Sequence, residues 1–208
     1  MHITSNSVNN VVDILGEICS APRFSHEIYG EGFYTVSVRI NRLSDASDCI
    51  QAMVSDRLIN PESTCVGDVV RISGQFRSHN SVGEKPAVRL YVFVQQITFE
   101  DVNTTHINSI YLDGFICKKP SYRNTPSGKE ISDLLVSVRR SYGRADYIPC
   151  ICWGRNAKFA SGLCVGDRIS ICGRIQSREY VKKISEDEAE TRIAYEVSIS
   201  KIRLVEEE

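Results

Sequence analysis

Aromatic rings at strand spacing, with arginines set among them, are the residues of this chain whose types and intervals suggest chemistry. In Ala145-Asp146-Tyr147-Ile148-Pro149-Cys150-Ile151-Cys152-Trp153-Gly154-Arg155, a period of two puts Ile148, Cys150 and Cys152 on one face. Tyr147, Pro149, Ile151 and Trp153 fall on the other. Both faces are apolar, whereas an edge strand of a small barrel normally leaves one face to water. The outer face therefore calls for a cover. A second core layer or a subunit contact would serve; so would flat ligands stacked on the rings, with Arg155 and Lys158 close by to hold phosphates.

Other site chemistries find little support. The four histidines, His2, His26, His79 and His106, are scattered and fit no ligand or triad spacing. Among eight cysteines no C-x-x-C or Cys/His cluster completes a tetrahedral site, so buried free thiols are expected, with no metal and no cofactor. Gly128-Lys129 lacks the spacing of a phosphate loop, and Glu130 stands where a hydroxyl would hold magnesium. A nuclease would need carboxylates clustered at a groove, but the acids gather at 186–190 and 206–208. No catalytic residue is expected, and no enzymatic activity.

The elements that must position these residues occur twice. Gly16-Glu17-Ile18-Cys19 matches Gly114-Phe115-Ile116-Cys117, and Pro22 matches Pro120, at an offset of 98 residues; Cys65-Val66-Gly67-Asp68 matches Cys164-Val165-Gly166-Asp167, and Gly74 matches Gly173, one residue later. Such coincidences indicate a tandem duplication. With 208 residues the chain suits two domains of about 100, divided as 1–105 and 106–208, with Phe99 to His106 as a short polar linker. Each copy reads as short strands with turn signals between them, an antiparallel barrel. First-copy strands are expected near Asn9 to Ile18, Gly32 to Arg42, Asp48 to Ser55, Asp68 to Arg77 and Val88 to Thr98. In the second they lie near Asn108 to Ile116, Lys129 to Arg139, Asp146 to Trp153, Asp167 to Tyr180 and Thr191 to Arg203. A short helix is expected at Asp56 to Thr64, distorted by Pro61, and at Arg155 to Leu163. Gly74 and Gly173, inside strand patterns, mark bulges or sharp bends.

The net charge of −1 hides two unlike halves. Residues 1–105 hold 8 Lys+Arg against 12 Asp+Glu, net −4, and residues 106–208 hold 17 against 14, net +3. Setting aside the acids of a hairpin loop at 186–190 and of the terminus at 206–208 leaves the second body at +10, an electrostatic footprint for a polyanion. The first residues form neither a basic region nor an apolar run, and no stretch approaches the ~18 apolar residues of a membrane span. A cytoplasmic protein without membrane contact is the expectation.

Taken in order, Gly114-Phe115-Ile116, Pro120-Ser121-Tyr122-Arg123-Asn124-Thr125-Pro126-Ser127-Gly128-Lys129, the aromatic strand, Val165-Gly166-Asp167 and Gly173-Arg174-Ile175-Gln176-Ser177-Arg178 resemble the pattern of bacterial single-stranded-DNA-binding proteins. The resemblance covers about Ile107 to Val205. It implies an all-β chain of two tandem OB-fold five-stranded barrels, each with a short helix. The implied function is sequence-independent binding and protection of unpaired DNA in replication, recombination or repair. By the same resemblance Tyr142, Tyr147, Trp153 and Tyr180 occupy base-stacking positions, and Arg123, Arg155 and Arg178 are phosphate contacts. Strand phase adds Arg139, Arg140 and Arg174 as weaker phosphate candidates. Departures from the family pattern at Lys119 and Val165 redistribute positive charge.

Family members commonly assemble four barrels, so a homodimer of this tandem chain is expected, with Val11, Val12, Ile14, Ile110 and Leu112 of the first strands as interface candidates. The long linker and acidic, Phe-ended tail of many members are absent from this sequence, which argues against tail-mediated replication and repair partners. In the first copy Ser44, Cys49, Ser55 and Ser81 replace the four aromatics. Its expected role is assembly, or backbone contact alone through Arg39, Arg42, Arg57 and Arg77. The alternatives are an OB-fold accessory or scaffold protein that binds a protein partner, and an RNA-binding module.

Overall fold

The computed structural model describes residues 8–44, 46–81, 87–101, 104–183 and 189–206. Most of the expected acidic hairpin tip, and Glu207 and Glu208, lie outside them.

The first copy runs β1 (Asn10–Ile18), β2 (Arg23–Ile28), β3 (Glu31–Asn41), β4 (Ser47–Ser55), β5 (Val69–Ser81) and β6 (Ala87–Glu100). The second runs β7 (Ile107–Ile116), β8 (Ser121–Asn124), β9 (Glu130–Arg139), β10 (Ala145–Trp153), α1 (Arg155–Ser161), β11 (Arg168–Lys183) and β12 (Ala189–Leu204). In each copy five strands close on themselves. The ring β1-β3-β4-β6-β5 is antiparallel except for the short parallel join of β4 to β6, and β7-β9-β10-β12-β11 repeats it with β10 parallel to β12. Closure removes the unpaired edges that an open sheet would leave.

Alternation builds both cores. On β3, Val36, Val38 and Ile40 are buried while the residues between them are not; Leu134, Val136 and Val138 repeat this on β9. Two elements escaped that pattern. Strands β2 and β8 are exposed at every position and add to the free side of β3 and β9, so no apolar periodicity marks them. The stretch from Asp56 to Thr64 forms successive turns rather than a helix. Pro61 cannot donate, and the Asn60 carbonyl instead accepts from the Thr64 amide at 3.0 Å and its hydroxyl at 2.8 Å. In the second copy α1 does form, burying Ala157 and Ala160 in the core.

Gly74 and Gly173 sit at matching register shifts, each facing a bulge with one extra residue on the partner strand, Gln95 of β6 and Ser200 of β12. A Cβ at either would run into the backbone carbonyl oxygen of Phe93 or Ser198. At the matching turns, the Asp68 and Asp167 carboxylates each accept from the backbone amide three residues earlier at 2.8 Å.

The first strands pair with each other. β1 and β7 run antiparallel from Asn10↔Leu112 to Leu15↔Ile107, so the strands expected to join two subunits join the two barrels of one chain. A pseudo-twofold clasp flanks this ladder. Asp48 on β4, 1% exposed, accepts from the Ser177 amide on β11 at 2.8 Å and binds Arg42 and Arg174. Its counterpart Asp146, also 1% exposed, accepts from the Ser78 amide on β5 at 2.5 Å and binds Arg140. The hydroxyls return the contact, Ser177 accepting from the Cys49 amide at 2.9 Å and Ser78 from the Tyr147 amide at 2.8 Å. Buried carboxylates of this kind are stable only with several donors each, and the two barrels supply them together: an arginine from the carboxylate's own barrel and an amide from the facing one, with Arg174 added at Asp48.

Candidate nucleic-acid interface

Strand β10 presents its residues as period two requires. Ile148, Cys150 and Cys152 are buried, while Tyr147 is 51% and Trp153 41% exposed. The outer face is not uniformly open, because Ile151 between the two rings is buried as well. Burial pushes the Cys150 thiol well up and Cys152 to about 12, so both remain neutral. Cys65, Cys164 and Cys172, in contrast, are exposed rather than buried.

The four expected stacking residues are all exposed but do not form one platform. Tyr147 and Tyr180 share a cleft of about 820 Å³ between the barrels, whose opposite wall includes Asn80, Val88 and Arg89 of the first copy. Trp153 lies six residues along the strand from Tyr147, about 20 Å away at a strand's rise. Across the ladder Trp153 faces Ile131, which pairs with Arg123 of β8; one rung away Tyr122, opposite Ser132, is 41% exposed, an aromatic not singled out from the sequence. The Tyr122 hydroxyl donates to Glu130 at 2.7 Å, and the Lys158 ammonium lies 3.1 Å from the same carboxylate. Those two contacts, the hydroxyl's first, hold the Glu130 carboxyl below its usual range.

Tyr142 occupies a tight turn at φ 64°, fully exposed, on a second groove of about 1420 Å³. Arg77, Arg139, Arg140 and Arg144 line that groove, with Tyr29 from the turn between β2 and β3. Tyr29 is equally exposed and also has a positive φ, 51°.

The arginines divide by partner. Arg155 and Arg178 are exposed and make no ion pair among the described residues, and Arg139 lies 5.0 Å from the centre of the Phe115 ring. Arg123 is paired with Asp133 at 3.0 Å on the surface. Arg140 and Arg174 are committed to the clasp carboxylates Asp146 and Asp48. Nothing in the sequence near Arg174 announces this, since Asp48 lies 126 residues away.

Two closed OB barrels joined edge to edge, with aromatic residues and unpaired arginines on their outer surface, define a nucleic-acid-binding class of protein. The Single-strand binding protein family model matches residues 107–205. Single-stranded DNA-binding protein 2 of Streptococcus agalactiae (serotype V) is 31% identical over 106 residues, covering 48% of this chain and 77% of that protein. Single-stranded DNA-binding protein 1 of Staphylococcus aureus (strain COL) is 33% identical over 81 residues, and the chain spans about half, 48%, of its length. The wild-type single-stranded DNA binding protein from Thermus aquaticus superposes with a TM-score of 0.77 over 96% of this chain and 94% of that one, at 18% identity, a likeness of fold across both barrels. The chain belongs to the single-strand binding protein family.

Proposed function

We propose that the chain binds single-stranded DNA without sequence preference, stacking bases on Tyr147, Trp153 and Tyr180 of the second barrel and holding the backbone with Arg155, Arg178 and Arg139. One observation carries this reading. Where an OB barrel ordinarily presents a polar strand to water, β10 exposes a tyrosine and a tryptophan with uncommitted arginines close by in the chain. Rings with a free π-face accept any base, and guanidinium groups follow the phosphates whatever the sequence. Arg123 contributes by exchanging Asp133 for phosphate, while Arg140 and Arg174 serve the joint between barrels. Coating of unpaired DNA in replication, recombination or repair follows as the physiological role, and binding requires no catalytic step.

Trp153 is the only tryptophan, so its emission reports on this face directly. Titration with oligothymidine is expected to quench it, more weakly as salt rises, with duplex DNA far less effective. Binding by mobility shift without quenching would move the site away from β10; absence of binding would favour a protein scaffold. The expected assembly is a homodimer carrying four barrels, tested by sedimentation equilibrium.

A further inference from the structure

The first barrel lacks an aromatic at each of the four positions that carry one in the second, yet its outer face is not bare. The ladder shows where the ring has gone. In the second barrel Trp153 stands opposite Ile131; at the matching rung of the first, Ser55 stands opposite Phe33. The large ring has crossed to the neighbouring strand.

Phe33 is one member of a row. The His26 imidazole stacks on it with centres 5.1 Å apart and planes 11° from parallel. On its other side Phe93 of β6 lies 6.1 Å away at 30°, and the Arg77 guanidinium caps Phe93 at 3.9 Å. Alternation on β3 and β6 points Phe33 and Phe93 away from the core, whose inward residues here are Val36, Val92 and Val94. His26 is exposed, and Phe24 beside it is 62% exposed. Arg77 also lines the groove that holds Arg139, Arg144, Tyr29 and Tyr142. Arg77, Arg139 and Arg144 form no ion pair among the described residues, and the one carboxylate in the groove's lining, Asp146, is bound by Arg140, so the groove at the end of the row complements a polyanion.

We infer that the first barrel carries a second face for unpaired DNA, in which the outer ring face of exposed His26 takes a base, Phe33 and Phe93 stack behind it, and Arg77 continues the path into the groove between the barrels. This deepens the proposed function: one strand is bound by both barrels at non-equivalent positions. The acidic balance of the first copy does not oppose it, since Glu31 is paired with Arg57 and Glu17 with Arg39.

The test uses the full chain with its tryptophan moved. In the double variant Trp153→Phe, Phe33→Trp, emission reports only on the first barrel. Oligothymidine long enough to span both barrels is expected to quench it at the concentrations that quench the wild type. A wild type quenched through Trp153 beside a double variant that binds, by mobility shift, with unchanged emission would overturn the second face and leave the proposed function intact. Failure of both proteins to bind would overturn both. Because Phe33 packs within a row, His26→Ala at its exposed end is the independent variant. It is expected to weaken binding of the long oligothymidine about fivefold or more and to shorten the length of DNA occluded per chain, as loss of one stacking position does. Unchanged affinity and occluded length would count against the face.

Discussion

At the scale of single residues, exposure separates rings available to a ligand from rings that are structural. Tyr147, Trp153 and Tyr180 each present more than a third of their surface to solvent, whereas Tyr195 is held between the barrels, its hydroxyl pushed up to about 12, mainly by burial. Replacing any of the first three by Ala is expected to cost about 1–3 kcal/mol in oligothymidine affinity by fluorescence anisotropy, with thermal stability little changed. Arginines answer to a different measurement. Arg155→Ala and Arg178→Ala should each flatten the dependence of log K on log salt by about 0.7, the increment for one phosphate of a single strand, while Arg174→Ala should mainly lower the melting temperature. The thiols separate in the same way. Cys19 lies 3.3 Å from Cys49, and burial, then the hydrogen bond with Cys49, raises it to about 11. It is therefore protonated throughout the neutral range, and iodoacetamide at pH 8 should modify exposed Cys65, Cys164 and Cys172 well before it. Cys19 labelling should accelerate only as pH rises toward 11, which peptide mapping would follow.

At the scale of elements, the period of two was legible wherever a strand has a buried face. Ten strands were read within a few residues because Val, Ile and Leu alternate along them, and β10 could be assigned its inner and outer sides from Ile148, Cys150 and Cys152 alone. Strands β2 and β8 bury nothing and so leave no such trace. The displaced ring of the first barrel was hidden for a related reason. Comparing copies at a fixed offset finds Ser55 where Trp153 should be, but only strand pairing brings Phe33 to the same rung. Glycine offered a stronger signal than the aromatics, since Gly74 and Gly173 were recognisable as bends from sequence. Their backbones approach Phe93 and Ser198 too closely for any side chain, and the collision is with a carbonyl that cannot swing aside. Gly173→Ala should therefore destabilise the chain by roughly 2 kcal/mol, in the range for overpacked sites, and lower the thermal midpoint. Ala at exposed Gly162, where only ordinary contacts lie nearby, is the control expected to change little.

For the whole molecule, two acidic side chains with nothing in their local sequence to mark them out set how the barrels face each other. Asp48 and Asp146 lie at the starts of β4 and β10, as the alternation of those strands predicts; each is also a buried acceptor for the opposite barrel, and each arms one side of the joint while β1 and β7 form its centre. The cleft containing Tyr147 and Tyr180 and the groove containing Arg77 and Arg139 both take walls from the two barrels, so their shape depends on that joint. Converting both carboxylates to Asn keeps their size but turns an amide donor toward arginine donors and removes the charge those arginines neutralise. The arginines are 23–37% exposed, so solvent screens part of the loss, and each substitution should cost about 1–3 kcal/mol rather than the 3–5 of a fully buried pair. The two sites have no common partner, so the costs should add. Unfolding followed by Trp153 emission reports on the second barrel, and far-ultraviolet circular dichroism reports on both. In the wild type the two transitions should coincide; in Asp48→Asn, Asp146→Asn the barrels should uncouple, the more weakly held one melting first and the curves separating. Affinity for an oligothymidine that spans both barrels should fall more than Trp153 quenching by a short one, because the short strand needs only β10. Coincident transitions at an unchanged midpoint would show instead that the β1–β7 ladder alone fixes the joint.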